Sequence, residues 1–495
     1  MVIAALMFIQ RGALTVDIQP LECAHTRGLR KRNEYCGVAG FSASSDVPRF
    51  LYFSLRALQH RGQESAGIAT YSNGRISVYK GMGLVHEIFT SSILDNLQSN
   101  VGIGHVRYST TGSSKAENAQ PIHIYTLEHE IAVAHNGEIV NVSSLKKFLG
   151  DMGSAFVTQS DSEVIARLLA YEITKQGIIH GLQNMVLKLR GSFSLAILID
   201  DRVFAVRDPL GIRPLALGRI ANGYGVASES VAFHSLGGEF IRDVEPGEIV
   251  EITKDGFITH HVFKKKHRAH CMFEYVYFAR ADSILDGRLV YDVRREIGRI
   301  LAREHPAKAD FVVPVPDSGR AHALGYAEES GIPYAEGLMK NRYVERTFIM
   351  PSQESRVMEI NLKLSPVESV VKDKRIVLVD DSIVRGNTMR KIVKMLKDAG
   401  AREVHVRIGS PPIIAPCYLG IDMKTRDQFI AAGRSIEEIR KIIGADSLGY
   451  VSIDGLVKAI GLPREDICLG CLTGRYPVAI PGEKIRFQSD LEDFE

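Results

Sequence analysis

Three groups of residues in this 495-residue chain have types and spacings suited to chemistry. Cys36 stands directly before GVAGF, a glycine-rich start to a buried strand, where a thiol serves either as core packing or as a nucleophile. Farther on, the apolar run RIVLVD leads into the polar loop DSIVRGNT. Four later cysteines include a C-x-x-C pair: Cys271, Cys417, Cys468 and Cys471. The chain therefore carries candidates for a nucleophile, a phosphate site and a metal site.

The loop after RIVLVD has the composition of a phosphate site. Asp380 and Asp381 end the strand, and Ser382, Gly386 and Thr388 lead into a helix. Backbone N–H groups at a helix start, together with hydroxyls, are suited to holding phosphate. Adjacent carboxylates suit ribose hydroxyls or a magnesium ion. Paired acids can also simply begin a loop, but their occurrence with the glycine and hydroxyls in one strand-to-helix turn favours the phosphate interpretation.

Two further segments carry polar groups suited to the same ligand. In VVPVPDSG, residues 312–319, two prolines stiffen a strand end before Asp317 and Ser318; the alternative is a plain rigid turn. KNRYVERTFI, residues 340–349, supplies cations of the kind that a pyrophosphate leaving group needs, although a charged run is often only a wet surface. These cations are Lys340, Arg342 and Arg346.

The elements that must position these residues change character along the chain. From Tyr35 to about residue 260, short alternating apolar and β-branched runs predict a β-rich layered domain, with helices around residues 47–62 and 160–177. Ser160 or Asp161 is the expected N-cap of the second helix. The basic run FKKKHRAH, residues 263–270, is expected to be a solvated connector. After residue 280, alternating helices and buried strands predict a parallel sheet covered on both faces, with ligands at the strand ends.

Composition excludes several classes of protein. The chain is too long for one ordinary domain, and its net charge of only +3 with 24% charged residues favours neither nucleic acid nor a membrane as partner. No stretch approaches the roughly 20 apolar residues of a membrane span, so we expect a soluble, cytoplasmic protein. Six cysteines in so long a chain do not indicate a disulfide scaffold.

Residues 1–35 are expected to be a leader or propeptide. The opening MVIAALMFIQ is apolar but lacks both a basic first region and a small-residue cleavage site, which argues against a secretory signal. Removal of this segment would make Cys36 the first residue, and its α-amino group would then lie beside the thiol as a base.

Four segments of the first half are found together in one known family. They are HRGQESAGIA (60–69), GHVRYSTTG (104–112), AHNGEI (134–139) and SDSE (160–163). In this order they resemble the N-terminal-nucleophile glutaminase domain of class II amidotransferases, an α+β fold with αββα layers. The resemblance implies that Cys36 is the nucleophile and that Asn136 and the Gly137 N–H form the oxyanion hole. It also implies three glutamine-binding residues, with Arg107 on the carboxylate and Asp161 on the α-amino group: Arg61, Arg107 and Asp161.

The second half resembles the type I phosphoribosyltransferases, an α/β fold with a parallel sheet. That resemblance implies a magnesium site at Ser318, Asp380 and Asp381. Asn387 stands where the family usually has threonine, and Glu345 replaces a glycine common in the 340s loop. The implied residues that bind phosphoribosyl pyrophosphate are Asp317, Ser318, Lys340, Arg342, Arg346, Asp380, Asp381, Ser382, Arg385, Gly386, Asn387 and Thr388.

The segment HCMFEYVYFARADS, residues 270–283, resembles the linker of glutamine phosphoribosyl pyrophosphate amidotransferases that bear an iron–sulfur cluster. The ligands in that family correspond to Cys271, Cys417, Cys468 and Cys471. Four thiolates also suit zinc, and free structural cysteines are a third possibility. The resemblance of the flanking segments favours a 4Fe-4S cluster.

Together the resemblances imply one enzyme with two sites. Ammonia freed from glutamine at Cys36 would pass through an internal channel to phosphoribosyl pyrophosphate, giving 5-phosphoribosylamine, glutamate and pyrophosphate as the first step of purine synthesis. The alternatives are another class II amidotransferase, which VLVDDSIVRG argues against, and a phosphoribosyl pyrophosphate-sensing regulator, which the whole glutaminase set argues against. The family implies a homotetramer or dimer inhibited by purine nucleotides. The expected divisions are 1–35, 36–265, 266–480 and an acidic tail, 481–495.

Overall fold

The computed structural model describes residues 36–108, 116–341, 364–421, 423 and 426–482. The expected leader, residues 483–495 of the acidic tail, Arg342, Glu345 and Arg346 lie outside the described residues. Strands and helices are numbered below in chain order.

Two antiparallel sheets form the centre of the first half. The first has seven strands in the order β11-β9-β10-β1-β4-β2-β3, and the second has six in the order β13-β12-β8-β7-β6-β5. The strands of the first sheet are β1 (Gly37–Ala43), β2 (Ser65–Ser72), β3 (Arg75–Met82), β4 (Val101–Arg107), β9 (Ala216–Ile220), β10 (Gly223–Ala227) and β11 (Glu239–Asp243). Those of the second are β5 (Ile122–Tyr125), β6 (Glu130–Ile139), β7 (Gly191–Ile199), β8 (Arg202–Arg207), β12 (Glu248–Thr253) and β13 (Gly256–Val262).

Helices cover the outer face of each sheet, which confirms the αββα prediction. Alternation along β1 shows how the layers form: Val38 packs between the two sheets, whereas Ala39 and Phe41 pack under the helix that follows β1. The helices over the first sheet are α1 (Val47–Ala57), α2 (Val85–Ile88), α3 (Ser91–Asn96) and α7 (Val231–His234). Those over the second are α4 (Val142–Asp151), α5 (Asp161–Gln176) and α6 (Ile178–Lys188).

The second half contains a four-stranded parallel sheet in the order β17-β20-β21-β22. Along β20, Val377 and Val379 face one helical layer and Ile376 and Leu378 face the other, as expected for a sheet covered on both sides. The strands are β17 (Phe311–Pro314), β20 (Arg375–Asp380), β21 (Glu403–Ile408) and β22 (Ser447–Tyr450). The helices are α8 (Val290–Glu304), α9 (Arg320–Ser330), α10 (Glu368–Val371), α11 (Asn387–Asp398), α12 (Ile436–Ile443), α13 (Ile453–Ile460) and α14 (Gly470–Thr473).

Short strand pairs complete the second half. β14 (His270–Cys271) pairs in parallel with β23 (Ile467–Cys468), so a segment just after the basic connector meets one near the end of the described chain. The other pairs are β15 (Ile284–Leu285) with β16 (Arg288–Leu289), and β18 (Leu338–Lys340) with β19 (Leu364–Pro366). Within the described residues, no helix combines the length and apolar character required to cross a membrane.

Most predicted helices and strands are confirmed. Some of their ends differ from the predicted ones. Ser160 is the N-cap of α5, with its hydroxyl accepting from the Ser162 N–H at 3.2 Å. The helix predicted over residues 47–62 ends at Ala57, because the chain turns there, with Arg61 N–H donating to the Leu58 carbonyl at 2.9 Å. This turn carries Arg61 into the interior.

Candidate active sites

Cys36 lies immediately before β1, the central strand of the first sheet. It is 8% exposed, and its thiol faces the Tyr108 carbonyl, with sulfur and oxygen 3.8 Å apart. Burial raises the pKa of the Cys36 thiol to about 11, although the Tyr108 contact and Arg107 act in the opposite direction. With Tyr35 joined to it by a peptide bond, this thiol carries very little thiolate at neutral pH and needs a base to become a nucleophile.

Charged groups suited to an amino acid substrate surround the thiol. Arg107, Asp161 and Glu64 all lie close enough for their charges to affect the Cys36 pKa. Arg107 ends β4 and pairs with buried Glu64 at 3.1 Å. Asp161, at the first turn of α5, accepts from the Ile139 N–H at 3.2 Å. The fold thus brings a cation and an anion from distant segments to one thiol.

The Asp161 carboxyl is held in its ionised form. Burial alone would raise its pKa, but His135 and the N–H groups of Ile139 and Ser162 outweigh this effect and lower the pKa below its ordinary value. His135 Nδ1 lies 3.7 Å from the carboxylate. A buried carboxylate of this kind is a suitable partner for an ammonium group.

Asn136 and Gly137 lie on β6, opposite Ser194 and Phe193 of β7. Asn136 is 2% exposed, and its Nδ2 is a buried donor for which the described residues provide no hydrogen-bond partner. Buried amide donors are usually satisfied, so an orphaned one indicates a site for an external acceptor. Gly137 packs so closely that a Cβ there would lie 2.1 Å from the Ser192 carbonyl oxygen. The Asn136 amide is therefore available to an external acceptor, and the oxyanion role of Asn136 and Gly137 stays a prediction.

Arg61 differs from the other predicted glutamine-binding residues. Its side chain is fully buried, and its guanidinium binds Glu229 on one edge and Glu274 on the other. These contacts engage the group that was expected to meet glutamine. Arg61 thus has two carboxylate partners within the protein, and its part in glutamine binding stays a prediction.

The two predicted phosphate-binding turns lie side by side at the carboxyl edge of the parallel sheet. Strand β17 pairs with β20, and beyond the pairing the Val315 N–H donates to the Val379 carbonyl at 2.8 Å. Asp317 and Ser318 follow β17, while Asp380 and Asp381 end β20 and begin its loop. This edge is where ligands bind in parallel α/β sheets.

The β20 loop leads directly into α11. Gly386 precedes the helix with φ +76°, in the left-handed region, and a Cβ there would lie 2.3 Å from Ile430 Cδ1. Asn387 and Thr388 form the first turn of α11, where N–H groups are free of helical partners. Ser382 donates to Asp381, and Arg385 donates to Gln428. This arrangement can hold a phosphate beside two carboxylates.

Cations reach the same edge from other elements. Lys340, the last residue of β18, pairs with Asp317 at 2.7 Å, and Arg320 of α9 pairs with the other Asp317 oxygen at 2.7 Å. Arg294 of α8 is buried near Asp381, and burial lowers the pKa of its guanidinium to about 10, with Asp381 opposing that shift. Lys340 is exposed, and a phosphate ligand can therefore compete for it.

The four predicted cluster cysteines come from three segments that meet. Cys271 pairs with Cys468 across β14 and β23, and the Cys471 carbonyl accepts from the Ile414 and Ala415 N–H groups, close to Cys417. Burial and the other three thiols raise the Cys471 pKa well above its ordinary value. In the part of the chain that the structure describes, however, no three His, Cys, Asp or Glu side chains are arranged to hold a metal ion. The four cysteines therefore lie near one another, but their sulfur atoms are not arranged to hold a metal ion.

A buried charge network joins the two halves, and sequence reasoning missed it. Glu229 binds Arg61 and also accepts from the Ser283 hydroxyl, while Glu274 binds both Arg61 and Arg213, the latter at 3.1 Å. All four charged side chains of this network are at least 97% buried. The Arg61–Glu229 partners are 168 positions apart, so no local sequence pattern indicates the pairing.

Comparison with known proteins gives each half a family. A family model described as a glutamine amidotransferase domain matches residues 105–235, and one described as a phosphoribosyl transferase domain matches residues 280–408. The first range contains Arg107, Asp161 and the Asn136–Gly137 pair, and the second contains all the predicted phosphate-binding segments.

Whole-chain relatives agree. The chain is 54% identical over 455 residues to an amidophosphoribosyltransferase of Archaeoglobus fulgidus, covering 91% of this chain and 99% of that one. It is 44% identical over 466 residues to the amidophosphoribosyltransferase of Bacillus subtilis, covering 92% and 96%. A solved B. subtilis glutamine phosphoribosylpyrophosphate amidotransferase, complexed with ADP and GMP, superposes with a TM-score of 0.85 at 43% identity, covering 90% of this chain and 98% of that one. The chain therefore belongs to the amidophosphoribosyltransferase family.

Proposed function

We propose that this chain uses glutamine as a source of ammonia and transfers that ammonia to phosphoribosyl pyrophosphate. Membership of the family supports the overall reaction, which yields 5-phosphoribosylamine, glutamate and pyrophosphate and serves purine synthesis. The observation that carries the residue assignments is the grouping of Arg107 and Asp161 around the Cys36 thiol. The buried Asn136 Nδ2, which has no hydrogen-bond partner among the described residues, supports the oxyanion assignment.

In the glutaminase half, the α-amino group exposed by removal of residues 1–35 takes the Cys36 proton, and the sulfur attacks the amide carbon of glutamine. Asn136 Nδ2 and the Gly137 N–H stabilise the oxyanion of the tetrahedral intermediate. Its collapse releases ammonia and leaves a thioester, which water hydrolyses to glutamate. Arg107 binds the substrate carboxylate, and Asp161 binds its ammonium group.

In the phosphoribosyltransferase half, the start of α11 binds the 5-phosphate through backbone N–H groups and Ser382 and Thr388. Asp380 and Asp381 contact the ribose hydroxyls. Ammonia attacks the ribose C1, and pyrophosphate leaves. The remaining proposed contacts to the pyrophosphate are Asp317, Ser318, Lys340, Arg342, Arg346, Arg385 and Asn387.

Magnesium fits the same edge of the sheet. The oxygens of Ser318, Asp380 and Asp381 are hard ligands of the kind that this ion prefers, and magnesium commonly keeps substrate phosphate in its coordination shell. Bound there, it would neutralise charge on the departing pyrophosphate.

The four gathered cysteines, Cys271, Cys417, Cys468 and Cys471, are proposed to hold a 4Fe-4S cluster. Buried thiols that raise one another's pKa are poor thiolates by themselves, and a bound cation removes that penalty. Two N–H groups already face the sulfurs, from Leu419 to Cys417 at 3.4 Å and from Arg213 to Cys271 at 3.9 Å. The cluster would tie the end of the chain to the linker. Zinc at one ion per chain, with no iron, would contradict this assignment.

Assembly and regulation follow the family. We propose a homo-oligomer, a dimer or tetramer, that acts in the cytoplasm and is inhibited by purine nucleotides. The B. subtilis relative complexed with ADP and GMP supports the inhibitor class. The proposed division is glutaminase residues 36–265 and phosphoribosyltransferase residues 266–480.

A single substitution tests the reaction scheme. In enzyme that begins at Cys36, Cys36→Ala should reduce glutamine-dependent pyrophosphate release by more than about 10⁴-fold, because the nucleophile is lost. Transfer from added ammonia should continue at the parent rate and serves as the internal control. Undiminished use of glutamine by this variant would exclude Cys36 as the nucleophile.

A further inference from the structure

A loop of the second half reaches the oxyanion-hole strand of the first. We call residues 417–421 the 417–421 loop. The Leu419 carbonyl accepts three hydrogen bonds from the glutaminase half: two from the Arg213 guanidinium, at 3.2 and 2.8 Å, and one from the Ser192 hydroxyl at 2.9 Å. All three residues are at most 2% exposed. The contact is therefore a buried, hydrogen-bonded junction between the two halves, which we call the Leu419 joint.

Ser192 connects the 417–421 loop to β6. Its hydroxyl, while donating to Leu419, accepts from the Glu138 N–H at 3.1 Å, and its carbonyl faces His135 Nε2 at 3.3 Å. Glu138 and His135 flank Asn136 and Gly137, the proposed oxyanion donors. The segment that carries these donors thus contacts Ser192 on both sides, through the His135 ring and the Glu138 backbone, and the 417–421 loop binds Ser192.

Gly420 touches the oxyanion glycine itself. A Cβ at Gly420 would lie 3.0 Å from the Gly137 carbonyl carbon and 3.1 Å from both Gly137 Cα and Arg213 Nη2. Gly420 also has φ +96°, which disfavours any side chain. The two backbones pack so closely that displacement of one requires displacement of the other.

We propose that Leu419 and Gly420 are positioning residues for the glutaminase oxyanion hole, acting through Ser192 and Gly137. This inference rests on the proposed function, since it assigns the Gly137 N–H to the tetrahedral intermediate. A preorganised donor contributes when charge develops on the oxygen, and its misplacement therefore lowers kcat more than it alters substrate binding. The phosphoribosyltransferase half thereby supplies part of the glutaminase active site.

Gly420→Ala in full-length enzyme that begins at Cys36 tests the proposal. We expect the glutamine-dependent kcat to fall about 10- to 100-fold, with the KM for glutamine within about 2-fold of the parent value. Ammonia-dependent transfer should be unchanged. The matched control is Gly433→Ala, in the same half, with φ +71° and open space around the added Cβ; both activities should remain at the parent level.

A second variant decides the case in which Gly420→Ala does not fold. Ser192→Ala adds no bulk and removes the hydroxyl that donates to Leu419 and accepts from the Glu138 N–H. Its kcat with glutamine should fall about 3- to 10-fold at constant KM. In the double variant the two losses should be less than additive, because both act through one contact.

Three results would overturn the proposal: an unchanged kcat in both variants, an increase in KM alone, or an equal decrease in ammonia-dependent transfer. Cys36→Ala is measured in parallel. If that variant loses glutamine use while Gly420→Ala and Ser192→Ala keep the parent kcat, the positioning role fails and the nucleophile assignment survives.

Discussion

The hydrogen bonding of Asn136 distinguishes a functional role for this residue from a structural one. Its Nδ2 is buried without a partner among the described residues, which costs stability unless a ligand uses it. Arg107, Asp161 and Cys36 were predicted as one group, and the fold brings the charges of Arg107 and Asp161 close to the Cys36 thiol.

Asn136→Ala should therefore impair catalysis without impairing folding. Loss of one oxyanion donor is expected to lower kcat with glutamine about 10²- to 10³-fold, while the KM for glutamine and the thermal midpoint change little. Steady-state kinetics and calorimetry measure these quantities. Asn222→Ala, on a hairpin between β9 and β10, is the control and should leave kcat unchanged. A Tm drop of many degrees with a proportionate loss of all activity would mean that Asn136 is structural.

Arg61 shows the limit of sequence reasoning at this scale. The family resemblance singled out HRGQES, but the sequence could not reveal that Glu229 and Glu274 bind the Arg61 guanidinium from positions 168 and 213 residues away. Residue type and local spacing predict chemistry well where one segment supplies the groups. They fail where burial and long-range pairing decide the role.

At the level of elements, the strand-to-helix turn before α11 was predictable because local sequence determines it. The strand β20, the acids, Gly386 and the helix are contiguous. The short strand β22 and the β14–β23 pair were not predicted, since two- to four-residue strands carry too weak a pattern and depend on tertiary pairing.

Gly386→Ala should weaken the binding of phosphoribosyl pyrophosphate. The added Cβ meets Ile430 Cδ1 at 2.3 Å, so the Ile430 side chain must move, and alanine is strained at the left-handed φ that precedes α11. This strain disturbs the N–H groups at the start of α11 that are proposed to bind phosphate. We expect the KM for phosphoribosyl pyrophosphate, measured with ammonia as the nitrogen source, to rise about 10-fold or more. Gly444→Ala has the same φ, +76°, with open space, and should leave that KM unchanged. Equal effects in both variants would assign the loss to backbone strain alone.

For the whole molecule, the network of Arg61, Glu229, Glu274 and Arg213 joins the halves through buried charge. Burial would raise the pKa of Glu229, but Arg61 and His60 outweigh it and hold that pKa far below its ordinary value. A carboxylate with a depressed folded pKa stabilises the fold above its unfolded pKa, about 4.3, and this contribution is lost as the pH falls below that value.

Glu229→Gln should destabilise the protein by about 3 kcal/mol at neutral pH, because Arg61 loses one of two buried counter-charges. The thermal midpoint of the parent should fall steeply from about pH 5 downward, and that of the variant should fall less. Calorimetry across this range tests both expectations. Glu239→Gln breaks an exposed pair with Arg219 and should cost under about 1 kcal/mol. Parallel pH curves for parent and Glu229→Gln would contradict the assignment.

The Leu419 joint also bears on whether the two halves are interchangeable parts. Arg213 and Arg61 belong to the first half, but Leu419 and Glu274, which accept from them, belong to the second. A glutaminase half that ends at residue 265 would retain the two guanidiniums that are buried in the whole protein. It would lack the Leu419 carbonyl and the Glu274 carboxylate that accept hydrogen bonds from them. A chimera that exchanges only the first half must therefore carry matching residues in the linker and the 417–421 loop, and gene fusion alone would not supply them.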